Sequence, residues 1–286
     1  MAAFHVCRFM LPGRDFHGLA AYVELGETFV WALKALGHEA GLAVNGTRPD
    51  AINILMGAQM LAEPQLDALP ARTVIYNLEQ MARTSLEDLK PVLRALAQRF
   101  PIWEFSEANL PVWKALGARE VQHVRVGWAP VLERIAPAPR QDIEVLIYGT
   151  PSDERLAIYQ ALCRANLSAM FVFGVYGAER DALIARSKIV VNASAYRSRI
   201  FEIARVSYLL ANAKAVVSLQ HPDIAVESDV REAVLFSPME TIVQDCLALA
   251  SDDTRRAALE EKGRRALRAR DMREILRPVL AKLPAA

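Results

Sequence analysis

Polar and charged side chains are concentrated in the segment 189–238, where two predicted strands each lead into a polar loop. Arginine side chains and the N–H groups at a helix start bind the oxygens of a diphosphate, and a carboxylate accepts hydrogen bonds from both hydroxyls of a ribose. The residue types therefore predict a site for a nucleotide diphosphate. The candidate side chains are Ser194, Tyr196, Arg199 and Glu202 after the first strand, and His221, Asp223 and Glu227 after the second.

Two strands and a helix are predicted to position these side chains. Residues 189–191 and 215–217 are continuous apolar runs, which are typical of strands buried on both faces of a parallel sheet. Apolar residues recur at helical spacing over 200–210, so this segment is predicted to be a helix, with Glu202 and Arg205 near the border of its buried face. Ligands of doubly wound sheets bind at the carboxyl ends of the strands, where these loops lie.

Three more candidates follow predicted strands in the same half of the chain. Gly149 and Thr150 come after the apolar segment 143–148, and their backbone N–H groups are candidates to hold a phosphate, although the G-x-G-x-x-G pattern is missing. Tyr176 lies in a loop between two glycines, where its ring can stack on a nucleobase. The alternative for Tyr176 is a turn whose geometry the glycines set.

Each charged candidate also has a structural alternative. A carboxylate such as Glu202 near a helix start is stabilised by the helix dipole without any ligand. Arg199 is equally consistent with a solvated arginine, and Glu227 with a cap of the helix predicted from Ser228. The order of the surrounding strands and helices is what favours a binding site.

Predicted strands and helices alternate along the whole chain, which is typical of parallel sheets covered by helices. One of the helices is predicted over 86–99. Three prolines between 130 and 140 disfavour a helix there and predict a connection between two domains. We therefore expect an α/β protein of two Rossmann-like domains with parallel sheets, an N-terminal domain at 1–135 and a C-terminal nucleotide-binding domain at 136–286.

Composition and charge exclude several classes of protein. The 286 residues are 53% hydrophobic, which suits sizeable cores, and the formal net charge of +1 gives no field that attracts nucleic acid. Three cysteines in unrelated segments are typical of reduced thiols in the cytoplasm. Neither a signal peptide nor a membrane-spanning run is predicted. The sequence thus predicts a cytoplasmic protein without a nucleic-acid partner.

Taken in order, these motifs resemble glycosyltransferases of the group 1 type with the GT-B fold, in particular the short members related to spore-maturation proteins. The likeness covers most of the chain and is stronger in the second half. There the matching segments are VLIYGT at 145–150, RIFE at 199–202, Glu227, VLFSP at 234–238 and Asp252 with Asp253. In the first half they are YNLEQ at 76–80, WEFSEAN at 103–109 and HVRVGWAP at 123–130.

The resemblance implies transfer of a hexose-type sugar from a nucleotide diphosphate donor, UDP- or GDP-linked, to a hydroxyl of a glycan, lipid-linked or protein acceptor. It places the donor on residues 145–240, with Glu202 at the ribose, and it implies that the last helix packs back on the N-terminal domain. No cofactor is expected besides the donor. The residues expected to neutralise the leaving diphosphate are Arg199, Arg205, Lys214 or Arg125.

A metal ion is not expected at this site. Transferases of the other common fold hold a divalent ion with an Asp-x-Asp sequence at a strand end. The close pair Asp252 and Asp253 instead precedes a helix rich in arginine and is predicted to cap it. The sequence also has no cluster of histidine and cysteine for a transition metal.

One departure from the family pattern bears on the reaction. Many retaining members carry two glutamates with seven residues between them, and the position of the first, counted back from Glu202, is occupied by Ser194. A serine cannot replace a carboxylate near the donor sugar, so retention of configuration is not implied. The alternative function is a catalytically silent GT-B-like module that binds a nucleotide or a partner. A sugar-nucleotide epimerase would need paired catalytic acids that the sequence does not reveal.

The first half is expected to supply the base that takes the proton of the acceptor hydroxyl. Asp15 and His17, in a glycine-containing loop after the first strand, have suitable chemistry. A histidine in a loop is also consistent with a plain surface residue. Glu79 and Glu107 follow predicted strands and are further candidates, whereas His123, in an apolar strand, is predicted to be structural.

The segment 255–283 is basic, with ten lysines and arginines against four acidic residues. Such a helical segment can associate weakly with an anionic membrane surface that carries a lipid-linked acceptor. The alternative is the solvated face of helices that pack on the N-terminal domain. Gly263 and Pro278 interrupt the segment and favour this alternative.

Overall fold

The computed structural model describes residues 2–10, 22–194 and 199–283. The chain divides into two compact units, Met1–Val131 with Arg270–Ala286, and Leu132–Ala269. Each unit is a parallel sheet with helices, so the predicted fold class of two Rossmann-like units is confirmed.

Within the described residues, the strands of the first unit are β1 Ala3–Arg8, β2 Glu39–Val44, β3 Ile52–Met56, β4 Thr73–Asn77, β5 Ile102–Glu104 and β6 Val121–His123. Its helices are α1 Val23–Ala35, α2 Pro91–Arg99, α3 Leu110–Ala115 and, from the C-terminal segment, α10 Met272–Leu280. The strands are parallel in the order β2-β1-β3-β4-β5-β6. The chain passes from β1 to β2 on one side and then to β3 on the other, so the topological switch point lies between β1 and β3.

Helix α2 is shorter than the predicted helix 86–99 because it begins at Pro91. Proline disfavours a helical backbone at the residue before it. Lys90 accordingly has a ψ of 130°, and residues 86–89 form turns and a bend. Proline at the first helical position is a common helix start.

The two faces of the first sheet carry different side chains. The Phe29 ring of α1 lies 4.8 Å from that of Tyr76 and 6.3 Å from that of Trp103. Successive strand residues point to opposite faces, so Asn77 and Glu104, which end β4 and β5, lie on the other face. The core of that face includes Leu55, Ile75, Leu93, Ile102 and Trp113.

Helix α10 packs within the first unit although it follows the second unit in the chain. The N–H of Trp128 donates to the Arg270 carbonyl at 2.7 Å, and the Trp128 carbonyl accepts from the N–H of Met272 at 3.0 Å. Gly127 permits this approach, because a Cβ there would lie 2.7 Å from Cδ1 of Ile275 and 2.8 Å from the Arg270 oxygen. The segment that starts at Arg270 is thus an integral part of the first unit.

The strands of the second unit are β7 Ile143–Tyr148, β8 Ala169–Val172, β9 Ser187–Asn192, β10 Ala215–Leu219 and β11 Leu235–Ser237. Its helices are α4 Asp153–Arg164, α5 Gly177–Arg186, α6 Ile203–Ala211, α7 Ser228–Ala233, α8 Ile242–Ser251 and α9 Asp253–Arg268. The strands are parallel in the order β11-β10-β9-β7-β8. The switch point of this sheet therefore lies between β7 and β9, and the loops after these strands are the expected ligand-binding loops.

The predicted helix 200–210 begins three residues later than expected, at Ile203. Ile200 forms an isolated parallel bridge with Ala225, the N–H of Ala225 donates to the Arg199 carbonyl at 2.9 Å, and that of Phe201 donates to the Ala225 carbonyl at 3.0 Å. These bonds pair Ile200 and its neighbours with the loop after β10. Glu202 is therefore the residue directly before α6 rather than a residue within it.

Candidate functional site

Three charged side chains meet at the switch point of the second sheet. Glu202 is only 8% exposed. Nη2 of Arg155 donates to its two carboxylate oxygens at 3.1 and 3.3 Å, and Nη1 of Arg205 lies 3.2 Å from Oε2. Two guanidinium groups thus share one buried carboxylate. We call Arg155, Glu202 and Arg205 the arginine–glutamate cluster.

Arg155 joins the two loops at the switch point to the start of α6. It lies in the first turn of α4, whose N-cap Ser152 accepts a hydrogen bond from its N–H. Nε donates to the Ala193 carbonyl at 2.8 Å, and Nη1 donates to the Thr150 carbonyl at 2.6 Å. The side chain is 1% exposed, and a charge so deeply buried is tolerated because carboxylate and carbonyl oxygens surround it.

Gly149 is the residue that lets the guanidinium groups approach the backbone. Its φ of +123° is a conformation that side chains of L residues rarely adopt, and a Cβ there would lie 2.7 Å from Nη2 of Arg205 and 2.9 Å from Nη1 of Arg155. The N–H of Gly149 donates to the Val172 carbonyl at 3.0 Å, which ties the loop after β7 to the end of β8. This position requires glycine for two independent reasons.

Arg205 is the member of the cluster that a ligand can reach. Its side chain is 22% exposed, and its guanidinium carbon lies 5.2 Å from the centre of the Tyr148 ring. Nη1 also donates to the Tyr148 carbonyl at 3.0 Å. A partly exposed guanidinium held in one orientation suits an anion such as a diphosphate.

Tyr176 lies close to the cluster, directly before α5. Burial raises the pKa of its hydroxyl, while the positive charges of Arg205 and Arg180 act in the opposite direction. Ser194 is buried at the end of β9, and Thr150 is exposed after β7. The structure therefore brings Gly149, Thr150, Tyr176, Ser194 and Glu202 to one edge of the sheet.

The other predicted donor residues lie in the loops next to this edge. Arg199 has a left-handed φ of 54°, and its carbonyl pairs with Ala225 as described above. Glu227 occupies the N-cap position of α7, where its backbone carbonyl accepts from the N–H groups of Val230 and Arg231. Nε2 of His221 lies 3.5 Å from a carboxylate oxygen of Glu154 in α4. Tyr196, Asp15 and His17 lie outside the described residues.

The expectation that Lys214 neutralises a diphosphate is wrong. Lys214 directly precedes β10, so it lies at the amino edge of the sheet, opposite the ligand-binding loops. It is buried, and Nζ donates to the carbonyl of Ser187, the first residue of β9, at 2.8 Å. Burial lowers the pKa of Lys214 to about 8. This lysine has a structural role.

A second polar cluster lies at the carboxyl edge of the first sheet, around the buried carboxylate of Glu104. Oε2 accepts from Nδ2 of Asn77 and Nε1 of Trp113, both at 2.6 Å. Oε1 accepts from Nδ2 of Asn109 at 3.0 Å and from the N–H of Ser106 at 2.9 Å. We call these residues the Glu104 network; sequence analysis did not identify it.

The acceptor-side candidates Glu79 and Glu107 have different surroundings. Oε1 of Glu79 accepts from Nε2 of Gln59 at 2.6 Å, and the residue is half-buried. The Glu107 side chain is 76% exposed and lies 3.3 Å from Nδ1 of His123, whose Nε2 is 3.3 Å from the Phe105 carbonyl. His123 thus has two partners within its own unit, as a structural histidine would.

The Glu104 network makes the stability of the first unit depend on pH. Burial raises the pKa of Glu104 to about 7, although its four hydrogen bonds favour the charged form. The folded state then holds a proton that the unfolded chain releases at lower pH, so stability is greatest below the ordinary glutamate pKa and falls as pH rises toward 7. We expect Glu104→Gln to remove about 3 kcal/mol of this pH dependence, on the order of 1.4 kcal/mol for each unit of pKa.

Urea unfolding at several pH values, followed by tryptophan fluorescence, tests this prediction. Trp113 donates directly to Glu104, so the signal reports on the right region. Glu107→Gln, which changes an exposed carboxylate in the same segment, is the control and should keep the wild-type pH dependence. If the free energy of unfolding changed with pH by the same amount in Glu104→Gln and the wild type, the prediction would be contradicted.

The part of the chain that the structure describes contains neither a group of metal ligands nor a membrane-spanning helix. No group of three or more histidine, cysteine, aspartate and glutamate side chains in that part of the chain is placed to hold a metal ion. Among the helices described, none combines the length and apolar character needed to cross a membrane.

Many basic side chains of 255–283 pair with carboxylates: Arg256 with Asp253, Arg264 with Glu261, Arg268 with Glu133, Arg273 with Asp271 and Arg277 with Glu274.

Comparison with known proteins gives no match to a family model and none to a curated protein. Solved structures do match. TarM aligns with a TM-score of 0.61 and 11% identity over 94% of this chain, which spans 58% of the TarM chain. HepE from Anabaena, in complex with UDP-glucose, aligns with a TM-score of 0.60 and 11% identity over 98% of this chain and 100% of its own. WaaG, a glycosyltransferase involved in lipopolysaccharide biosynthesis, aligns with a TM-score of 0.56 and 9% identity over 99% of this chain and 100% of its own.

These structures share the GT-B fold of glycosyltransferases, and this chain has the same fold. The resemblance found in the sequence is therefore confirmed at the level of fold. Identities of 9 to 11% leave the activity to be argued from the residues themselves.

Proposed function

We propose that this protein is a glycosyltransferase that moves a hexose-type sugar from a nucleotide diphosphate donor, UDP- or GDP-linked, to an acceptor hydroxyl without a metal ion. The arginine–glutamate cluster carries the proposal. It sets two guanidinium groups against one carboxylate at the switch point of the second sheet, where Arg205 is accessible. A developing negative charge on the leaving diphosphate would be stabilised there by groups that are already oriented.

In this proposal the members of the cluster have separate roles. Arg205 contacts the diphosphate, with Arg199 from the adjacent loop. Arg155 and Glu202 hold Arg205 and the loops after β7 and β9 in place. Glu202 also keeps its predicted place at the ribose, Glu227 lies nearby, and Tyr176 offers its ring to the base. The neighbours support a donor of this kind, since HepE was solved with UDP-glucose.

The proposal extends to the acceptor and the setting. A glycan, lipid-linked or protein hydroxyl is the proposed acceptor, and WaaG, which functions in lipopolysaccharide biosynthesis, supports the glycan class. Asp15 and His17 stay candidates for the acceptor-side base. A cytoplasmic location is proposed because Cys7, Cys163 and Cys246 are free thiols. Weak membrane-surface association through 255–283 also stays a prediction.

A catalytically silent module that binds a nucleotide or a partner is the second candidate function. Two observations favour it. Ser194 stands where many retaining members have their first glutamate, and both carboxylate oxygens of Glu202 already accept from Arg155. Such a module would bind a nucleotide or a partner and leave a nucleotide-sugar intact.

The test is calorimetric binding of UDP, GDP, TDP, ADP and CMP, combined with release of the nucleotide from its sugar conjugate. We expect one nucleoside diphosphate to bind and Arg205→Ala to weaken it by about 10- to 100-fold, the range for a lost hydrogen bond to a charged group. Arg186→Ala is the matched control, because Arg186 pairs with Asp142 at the amino edge of the same sheet. Binding without turnover would favour a silent module that binds a nucleotide. No binding would overturn the glycosyltransferase and favour a silent module that binds a partner.

A further inference from the structure

The backbone of Glu79 is held more firmly than a surface loop requires. The Nδ2 groups of Asn77 and Asn109 each donate to the Glu104 carboxylate. Each also donates to the Glu79 carbonyl, Asn77 at 3.0 Å and Asn109 at 2.8 Å. Oδ1 of Asn77 accepts from the N–H of Glu79 at 3.2 Å. Two buried amides thus bridge a buried carboxylate to the turn that carries Glu79.

The residues after Glu79 are fixed by the same network. Oδ1 of Asn109 accepts from the N–H groups of Met81 and Ala82 at 3.0 and 2.9 Å. Asn109 is itself fully buried. The turn 79–82 therefore has a defined backbone, and the side chain of Glu79 leaves it from a fixed point at the carboxyl end of β4.

Gln59 places an amide next to this carboxylate. It lies in the short 3₁₀ helix Ala58–Met60 after β3, and Gly57, directly before this helix, has a left-handed φ of 86°. Its Nε2 donates to Oε1 of Glu79 at 2.6 Å. Among the described residues, the hydrogen bond to this carboxylate is accepted by Oε1, so Oε2 is left to accept from a ligand. The pair lies in the segments that follow β3 and β4, next to the switch point between β1 and β3, where ligands of such sheets bind.

A carboxylate beside a carboxamide suits a polyhydroxylated ligand. The carboxylate accepts from a hydroxyl, and the amide both accepts and donates, so together they can bind two neighbouring hydroxyls of a sugar ring. Glu107, the other carboxylate that follows a strand here, is exposed and has no comparable support.

We propose that Glu79 and Gln59 form a hydroxyl-binding site for a sugar acceptor. The inference rests on the proposed function and deepens it, since it selects the glycan among the acceptor classes. Glu79 then binds and orients the acceptor through charge-assisted hydrogen bonds. Gln59 keeps the carboxylate in one position, and the Glu104 network fixes the backbone beneath it.

Glu79→Gln is a sharp test because it retains the shape of the side chain and an oxygen that can accept from Gln59, and removes only the charge. The probes are methyl glycosides of glucose, galactose, mannose and N-acetylglucosamine, with binding followed by saturation-transfer NMR in the full chain. We expect the wild type to bind at least one glycoside, and Glu79→Gln to weaken it on the order of tenfold. Glu120→Gln is the matched control and should bind as the wild type does, because Glu120 is exposed and directly precedes β6 at the amino edge of the same sheet.

Three outcomes separate the possibilities. A loss in Glu79→Gln alone, with an unchanged melting temperature and unchanged nucleotide binding, supports the site. Equal binding by Glu79→Gln and the wild type, or no glycoside bound by the wild type, overturns it. Nucleotide binding is measured in parallel: if it is present while the glycoside results are negative, only this inference fails, and if it is absent the proposed function fails as well.

Discussion

Replacing Glu202 with alanine is expected to destabilise the second unit by about 3 to 5 kcal/mol, the usual cost of removing one partner of a buried ion pair. The cost arises because the substitution removes the carboxylate partner of Arg155. That guanidinium is 1% exposed and would lose its carboxylate while remaining buried. Arg205, which is partly exposed, can regain water and adds less to the cost.

The tryptophans allow this effect to be assigned to one unit. All four, Trp31, Trp103, Trp113 and Trp128, lie in the first unit. Urea unfolding followed by fluorescence therefore reports on that unit, while far-ultraviolet circular dichroism reports on both. We expect Glu202→Ala to shift the dichroism transition to lower urea and to leave the fluorescence transition in place.

Glu261→Ala is a suitable control for Glu202→Ala, because Glu261 pairs with Arg264 at the surface of the second unit. Surface ion pairs contribute about 0 to 1 kcal/mol. If Glu202→Ala lowered the free energy of unfolding by no more than Glu261→Ala does, the buried cluster would not hold the loops after β7 and β9 together. In that case the roles given to Arg155 and Glu202 would have to be abandoned.

Gly149→Ala is expected to destabilise the second unit and to abolish donor binding. Forcing alanine to a φ of +123° costs about 1 to 3 kcal/mol, and inserting a methyl group into a packed site costs a similar amount, so the sum is about 2 to 6 kcal/mol. A guanidinium at the surface could move aside. Arg155 cannot, because it is bound by Ala193, Thr150 and Glu202.

Gly177→Ala is the control that separates the backbone strain of Gly149→Ala from the steric clash with the arginines. Gly177 also has a positive φ, of 55°, but a Cβ there would meet nothing within 4 Å. Only the backbone cost of about 1 to 2 kcal/mol is then expected, with nucleotide binding retained. The measurements are urea unfolding by circular dichroism and calorimetry with the nucleotide that the wild type binds. Equal effects of the two substitutions would show that contact with the arginines is unimportant.

The order of strands and helices could be predicted because buried strands such as 189–191 and 215–217 have an unambiguous apolar pattern. The edge strand β2 was not predicted. It contains a glycine and partly exposed residues, so it carries no clear pattern. The start of α6 was also misplaced, because the pairing of Ile200 with Ala225 is a contact between distant residues.

The site was predicted only in part. Glu202 could be identified from the surrounding motif, but its partner Arg155 lies 47 residues earlier, in a helix turn that looks like any solvated one. No local pattern reveals such a contact. The error with Lys214 was avoidable, since a residue that precedes a strand lies at the amino edge, away from the ligand-binding loops. The Glu104 network likewise depends on contacts between Asn77, Glu104 and Trp113 that only the folded sheet creates.

The packing of α10 in the first unit has a consequence for synthesis of the chain. The second unit is continuous in sequence, so it can complete its sheet as soon as residues 132–269 have left the ribosome. The first unit cannot complete its packing at that stage, because Trp128 and Gly127 contact the segment that starts at Arg270. The part of the protein that is translated first is thus the part that finishes folding last.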